Sequence, residues 1–187
     1  MRHYEHLKTT RAQQSVYAQS SEAVVKSSVG GIVTVLDKQI VQIEQKIHQH
    51  FDGHPDLKRR RDLLTSIPGI GQTTAGSILS EIPHLDHFQF AKAVAAFAGL
   101  SPRERRSGTS VHGRPRLCKT GNSRIRRALY MPVIVALRFN PTLCIFAERL
   151  LAAGKHKRLV IGAVMRKVLA LAYGILRSGV AFDANYA

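Results

Sequence analysis

From Gly31 to Phe51, apolar residues recur at three- and four-residue steps: Ile32, Val35, Leu36, Ile40, Ile43 and Ile47, with Asp37, Lys38, Glu44 and Lys46 between them. That period gathers the apolar side chains on one stripe of a helix and leaves the charges on the rest, so the stretch predicts an amphipathic helix. The stripe is short, which suits a brief coiled coil and equally a helix packed on its own domain. Residues 1–28 are polar and rich in Gln, Ser and Thr. Their weak periodicity around Val16, Tyr17, Val24 and Val25 defines no helix bounds.

"FDGHPD" at 51–56 combines Gly53 with Pro55 and reads as a linker or a sharp corner, dividing a helical segment 1–55 from a domain 56–187. Helical periodicity resumes beyond it and predicts helices near 56–65, 74–82, 90–98, 123–138, 142–152 and 157–177. Between 100 and 122 the pattern gives way to Gly, Ser, Pro and Arg. That region predicts a long ordered loop with room for a short hairpin, and loops of such length inside a domain are usually functional. The expected fold class is mainly α.

Charge changes this picture more than length does. The 187 residues carry 28 Lys+Arg against 12 Asp+Glu, a net charge of +16. Such a balance points to a polyanionic partner, either nucleic acid or an anionic membrane surface. Nucleic acid is preferred because the basic residues do not line one face of a single amphipathic helix. No membrane partner is expected: the most apolar stretches are interrupted by Arg138 with Asn140-Pro141 and by Arg166-Lys167. "MRHYEHLKTT" has no apolar core of a secretory signal. Cys118 and Cys144 are too few for a zinc site or a disulfide framework, and reduced thiols in a cytoplasmic protein are expected.

"SIPGIGQTTAGSILSEI", residues 66–82, sets Gly69 and Gly71 around Ile70. Glycine permits positive φ and lets backbone N–H groups approach a ligand, and the next helix is expected to begin near Thr73 or Thr74 with its positive dipole end at the same place. A phosphate suits such a pocket. The apolar-x-Gly-apolar-Gly spacing, followed by Ala75 and Ile78-Leu79, resembles the helix-hairpin-helix motif that grips DNA backbone, over about 62–82. A tight helical hairpin using glycine for close packing is the alternative.

The densest basic cluster runs from Ser101 to Arg127, with Arg103, Arg105, Arg106, Arg114, Arg116, Lys119, Arg124, Arg126 and Arg127 against one acid, Glu104. Guanidinium forks match phosphate oxygens and stabilise charge that builds at phosphorus during displacement. Ser107, before Gly108 in the middle of this cluster, is the candidate nucleophile. His112 offers no base in obvious register, and a plain basic loop for non-specific binding is the competing reading. Downstream, Gly121-Asn122 forms a turn before a helix that Ser123 is placed to cap, with Arg124 and Arg127 projecting together as a second phosphate seat or as a solvated basic face.

Four blocks stand in one order along residues 62–186: "LLTSIPGIGQTTAGSILSEI", "FQFAKAVAAFAGLSPRERRSG", "GRPRLCKTGNSRIRRAL" and "MRKVLALAYGILRSGVAFDANY". Together they resemble the C-terminal transposase domain of the IS110/IS116 insertion-sequence family. The resemblance implies that Ser107, in the Ser-Gly pair after the Gly-Leu-x-Pro-Arg segment, links covalently to DNA. The residues expected to hold DNA, read from the glycine turn, the basic cluster and the helix start after it, are Gly69, Gly71, Thr73, Arg103, Arg105, Arg106, Arg114, Arg116, Lys119, Asn122, Arg124 and Arg127. The resemblance also implies a homo-oligomer joined through the N-terminal helix, a structured noncoding guide RNA, and a cytoplasmic protein acting at the prokaryotic nucleoid. Family members carry metal-binding carboxylates on an N-terminal RuvC-like domain. This chain is expected to begin within the linker and to lack that domain, so no cofactor or metal is expected in it. A divalent ion such as Mg belongs to the RuvC-like part.

Overall fold

The computed structural model describes residues 1–20, 22–107, 111–118 and 120–184, and the side chains of 103–107 and 111–116 lie outside that description. Two compact units divide the chain, residues 1–58 and residues 59–187.

The first unit is built on α1 (Arg2–Gln19) and α2 (Ala23–Asp52), which pack along each other. α2 is the helix that the Ile32–Ile47 stripe predicts, extended in the N-terminal direction to Ala23. The sequence of α1 is polar and offers little periodicity; its partner supplies what the local pattern lacks. Tyr4 and Leu7 are buried. The Tyr4 hydroxyl donates to Glu44 Oε1 at 2.6 Å, and Arg11 Nε reaches Asp37 Oδ1 at 3.0 Å. Position rises along α1 as it falls along α2, so the pair is antiparallel, and the two cross-links sit about two turns apart on each helix. Burial and then the bond to Glu44 push the Tyr4 phenol above its ordinary value.

The second unit takes in α3 (Pro55–Thr65), from Arg59 onward, α4 (Gln72–Glu81), a single 3-10 turn at Leu85–His87, α5 (Ala91–Phe97), α6 (Ser123–Phe139), α7 (Pro141–Ala152) and α8 (Lys157–Ser178). α8 is the central post, packed by α5, α6, α7 and the 3-10 turn. By length and composition it could cross a membrane, but 56% of its most apolar window is buried inside the protein, the pattern of a core helix. Val164, Val168, Leu169 and Ala172 of α8 are fully buried, as are Leu64, Ile78, Leu129 and Val133 elsewhere in this unit, so close-packed apolar side chains make up its interior.

α6 and α7 meet at a 97° bend. Asn140 ends the first and caps the second, accepting from the Leu143 N–H at 3.2 Å, and Pro141 occupies the first helical position, where its missing N–H costs nothing.

Residues 100–122 do not stay irregular. β1 (Pro102–Ser107) and β2 (Val111–Leu117) pair antiparallel as a two-stranded hairpin, with Pro102 opposite Leu117, Arg103 opposite Arg116, Arg106 opposite His112 and Ser107 opposite Val111. The register shifts between Arg103 and Arg105, the mark of a bulge. The fold is mainly α, with this one hairpin among the described residues.

Candidate nucleic-acid interface

The Gly-Ile-Gly turn separates the roles of its two glycines. Gly69 has φ +96°, and a Cβ added to it would stand 2.6 Å from the Ala136 Cβ on α6. This glycine therefore serves close packing, with Ile67 and Ile70 buried on either side. Gly71 corrects the sequence expectation: its φ of −86° is open to any residue, and nothing lies within 4 Å of where its Cβ would be. It is the N-cap of α4, which starts at Gln72 rather than at Thr73 or Thr74. Gly71, Gln72 and Thr73 are exposed, and no side chain caps the first turn. The helix thus presents its positive end to solvent beside an unobstructed backbone.

At the start of α6, Asn122 rather than Ser123 is the cap. Its Oδ1 accepts from the N–H groups of Arg124 at 2.9 Å and Ile125 at 3.3 Å, while its Nδ2 donates to Glu81 Oε2 at 2.8 Å. The opposite oxygen of Glu81 meets Arg124 Nε at 2.9 Å. Sequence reasoning missed Glu81. Its signal was available: a carboxylate in the last turn of a helix opposes the dipole there and so calls for a cationic partner elsewhere. The nearly buried Glu81 side chain ties the end of α4 to the start of α6, and both polar atoms of Asn122 are engaged inside the protein. Of the two arginines expected to project together, Arg124 leans on Glu81 and Arg127 is exposed.

Arg126, counted with the basic cluster, faces inward. Its Nη1 donates to the carbonyls of Ala98 at 2.8 Å and Gly121 at 2.9 Å. Gly99, at φ +67°, and Gly121 press backbone against backbone: a Cβ on Gly121 would meet Gly99 N at 2.4 Å. The Asn122 N–H donates to the Phe97 carbonyl at 2.8 Å and the Cys118 N–H to Ser101 O at 2.9 Å. At the far end of β2, a Cβ on Gly162 of α8 would meet Leu117 Cδ1 at 2.8 Å. The root of the hairpin is therefore bolted to α5, α6 and α8. The two glycines and Arg126 were visible as residues but not as partners, because 22 positions separate Gly99 from Gly121 in the chain.

The backbone register puts Arg103, Arg105, Arg106, Ser107, Arg114 and Arg116 on the two strands of this hairpin. The side chains of these residues, and Lys119 altogether, lie outside the described residues. Among the described residues, no three His, Cys, Asp or Glu side chains come together where they could hold a metal ion. The described groups do not fit a catalytic divalent ion. Cys118 and Cys144 form no disulfide among the described residues.

Residues 61–146 match the family described as "Transposase IS116/IS110/IS902 family". Among characterised proteins, it is similar to the pilin gene-inverting protein of Moraxella bovis, with 34% identity over 180 residues. That alignment covers 96% of this chain and 56% of the relative. It is also 27% identical to the "Insertion element IS110 uncharacterized 43.6 kDa protein" of Streptomyces coelicolor, over 87% of this chain and 39% of that protein. A third relative, the "Insertion element IS900 uncharacterized 42 kDa protein" of Mycobacterium paratuberculosis, is 27% identical over 91% of this chain and 42% of its own length. The chain spans roughly half the length of the relatives it matches, 56%, 39% and 42% in turn.

Proposed function

We propose that this chain is the DNA-holding, serine-bearing part of a transposase, in which the β1–β2 hairpin and the helix-hairpin-helix formed by α3, the Gly-Ile-Gly turn and α4 hold the phosphate backbone. The observation that carries the reading is the hairpin register: Arg103 opposite Arg116 and Arg106 opposite His112, with Ser107 next along the same strand. Cationic donors are thereby concentrated along one short ribbon that is rooted rigidly on the helical core, which is how a flexible chain is made to hold a phosphodiester in one place. The names of the relatives, one a gene-inverting protein and two from insertion elements, favour DNA as the partner.

In this reading the Ser107 hydroxyl oxygen attacks phosphorus. A serine–phosphate ester forms, the bond to one deoxyribose oxygen breaks, and that oxygen leaves as a hydroxyl. The proton lost from serine balances the proton gained by the leaving group. One phosphoester replaces another, so rejoining needs no nucleotide cofactor. A second copy paired along α2 completes the assembly, since Val24, Ile32, Val35 and Val41 of that helix are exposed apolar residues. This reading puts the protein in the cytoplasm, at the nucleoid.

The test is a labelled duplex DNA incubated with the chain and with Ser107→Ala, each alone and each together with the additional residues of the longer Moraxella bovis relative. The expected result is a detergent-resistant protein–DNA species that Ser107→Ala abolishes while DNA affinity persists. An adduct that survives the substitution refutes the nucleophile. Steeply salt-dependent binding without any adduct, in every condition, leaves a non-catalytic binding module in its place.

A further inference from the structure

Between the 3-10 turn and α5 lies an open cleft of about 380 Å³, lined by His84, His87, Phe88, Gln89, Phe90 and Ala93. We propose that it seats one unstacked nucleobase of a single-stranded nucleic acid. The inference rests on the nucleic-acid reading above and adds to it a place where a base, rather than the backbone, is held.

Aromatic rings dominate the lining. His84 and His87 are stacked, with ring centroids 4.9 Å apart and planes 22° from parallel, and both are exposed. Phe90 is 56% exposed, and Phe88 meets Phe97 edge to face at 5.8 Å. Flat π-faces left in water suit a flat, apolar-faced ligand with polar edges, and the Gln89 amide and the imidazoles are suitable partners for those edges.

The cleft is preformed. Tyr173 of α8 donates its hydroxyl to the Phe88 carbonyl at 2.9 Å, Arg177 donates to the Gln89 carbonyl at 3.1 Å and also engages the Tyr173 hydroxyl, and Leu85 is fully buried beneath. Holding the loop in place beforehand removes the ordering cost of binding.

Its charge and position favour a nucleic acid over other flat ligands. Among the described residues no carboxylate lines it; the neighbouring Asp86 is paired with Arg60 at 2.5 Å and stands 3.8 Å from His87 Nε2. Phe97, in contact with Phe88, accepts through its carbonyl from the Asn122 N–H at the start of α6. The aromatic cleft is thus linked through Phe97 to the turn between the arginine-bearing hairpin and α6, the side on which a strand held by the hairpin would pass.

The experiment compares strands of about 15 nucleotides, one DNA and one RNA arm, each against an abasic strand of equal length and charge. The proteins are the full chain, Phe90→Ala, and the double variant His84→Ala/His87→Ala, with circular dichroism as the check on folding. The wild type is expected to bind a base-bearing strand about tenfold more tightly than its abasic counterpart. Phe90→Ala is expected to bring that ratio toward one without changing abasic binding, and the double variant to reduce it. The arm with the larger ratio identifies whether DNA or RNA supplies the base. Equal binding of base-bearing and abasic strands by the wild type, or an unchanged ratio in Phe90→Ala, overturns the seat alone. Failure of the wild type to bind either kind of strand while it still binds duplex DNA overturns the seat alone, and failure to bind duplex DNA as well overturns the nucleic-acid reading with it.

Discussion

Gly69 lies so close against Ala136 that a single added carbon on the glycine would stand 2.6 Å from the alanine Cβ, and its φ of +96° is one that other residues rarely adopt. Gly69→Ala therefore meets a steric and a backbone penalty together and is expected to destabilise by about 2–4 kcal/mol in urea unfolding. Gly71→Asp, at an exposed N-cap with open space around it, is expected to stabilise by about 0.5–1 kcal/mol while weakening DNA binding, because the same carboxylate that caps α4 repels a phosphate. A Gly71→Asp protein with undiminished DNA affinity would remove the α4 terminus from the interface.

Arg126 and Arg127 are neighbours with opposite duties. Arg126→Met strips the Ala98 and Gly121 carbonyls of their shared donor and is expected to cost about 1–3 kcal/mol. Arg127→Ala, on an exposed side chain, is expected to leave stability within about 0.5 kcal/mol and to reduce the slope of log affinity against log salt by about 1. Titrations at several salt concentrations, beside denaturation curves, separate the two.

Asn140 caps α7 through its Oδ1, yet its buried Nδ2 has no hydrogen-bond partner among the described residues. Asn140→Ser keeps an acceptor for the Leu143 N–H and removes the unsatisfied donor, whereas Asn140→Ala removes both. The serine variant is expected to be more stable than the alanine variant by about 1 kcal/mol. Equal midpoints in thermal unfolding would show that the cap contributes nothing at this corner.

The Tyr4 phenol is raised above its ordinary value by burial and by its bond to Glu44, so the folded hairpin favours the protonated form. The resulting stability is complete below the unfolded phenol's value of about 10 and is lost as pH rises through the higher folded value. Helical circular dichroism followed from neutral to strongly alkaline pH is expected to show this loss, and Tyr4→Phe is expected to remove that component of it.

α6 and α8 were legible because each carries a long apolar period closed by an evident stop: 123–138 was expected where α6 spans Ser123–Phe139, and 157–177 where α8 spans Lys157–Ser178. α1 was not legible, since its polar sequence becomes a helix through Tyr4, Leu7 and Arg11 meeting α2. The hairpin was foreseen only as an option within a loop, because Arg-rich strands of six and seven residues carry no alternating pattern of their own.

The amino-acid order by itself determined the helical periods, the positive charge and the clustering of arginines around Ser107, all of which are properties of neighbours along the chain. Only the tertiary structure decided which glycine packs and which stays open, which asparagine caps, and that Arg126 and Glu81 bind the framework together. Those roles depend on groups brought within a few ångströms from positions tens of residues apart, a distance that no local pattern encodes.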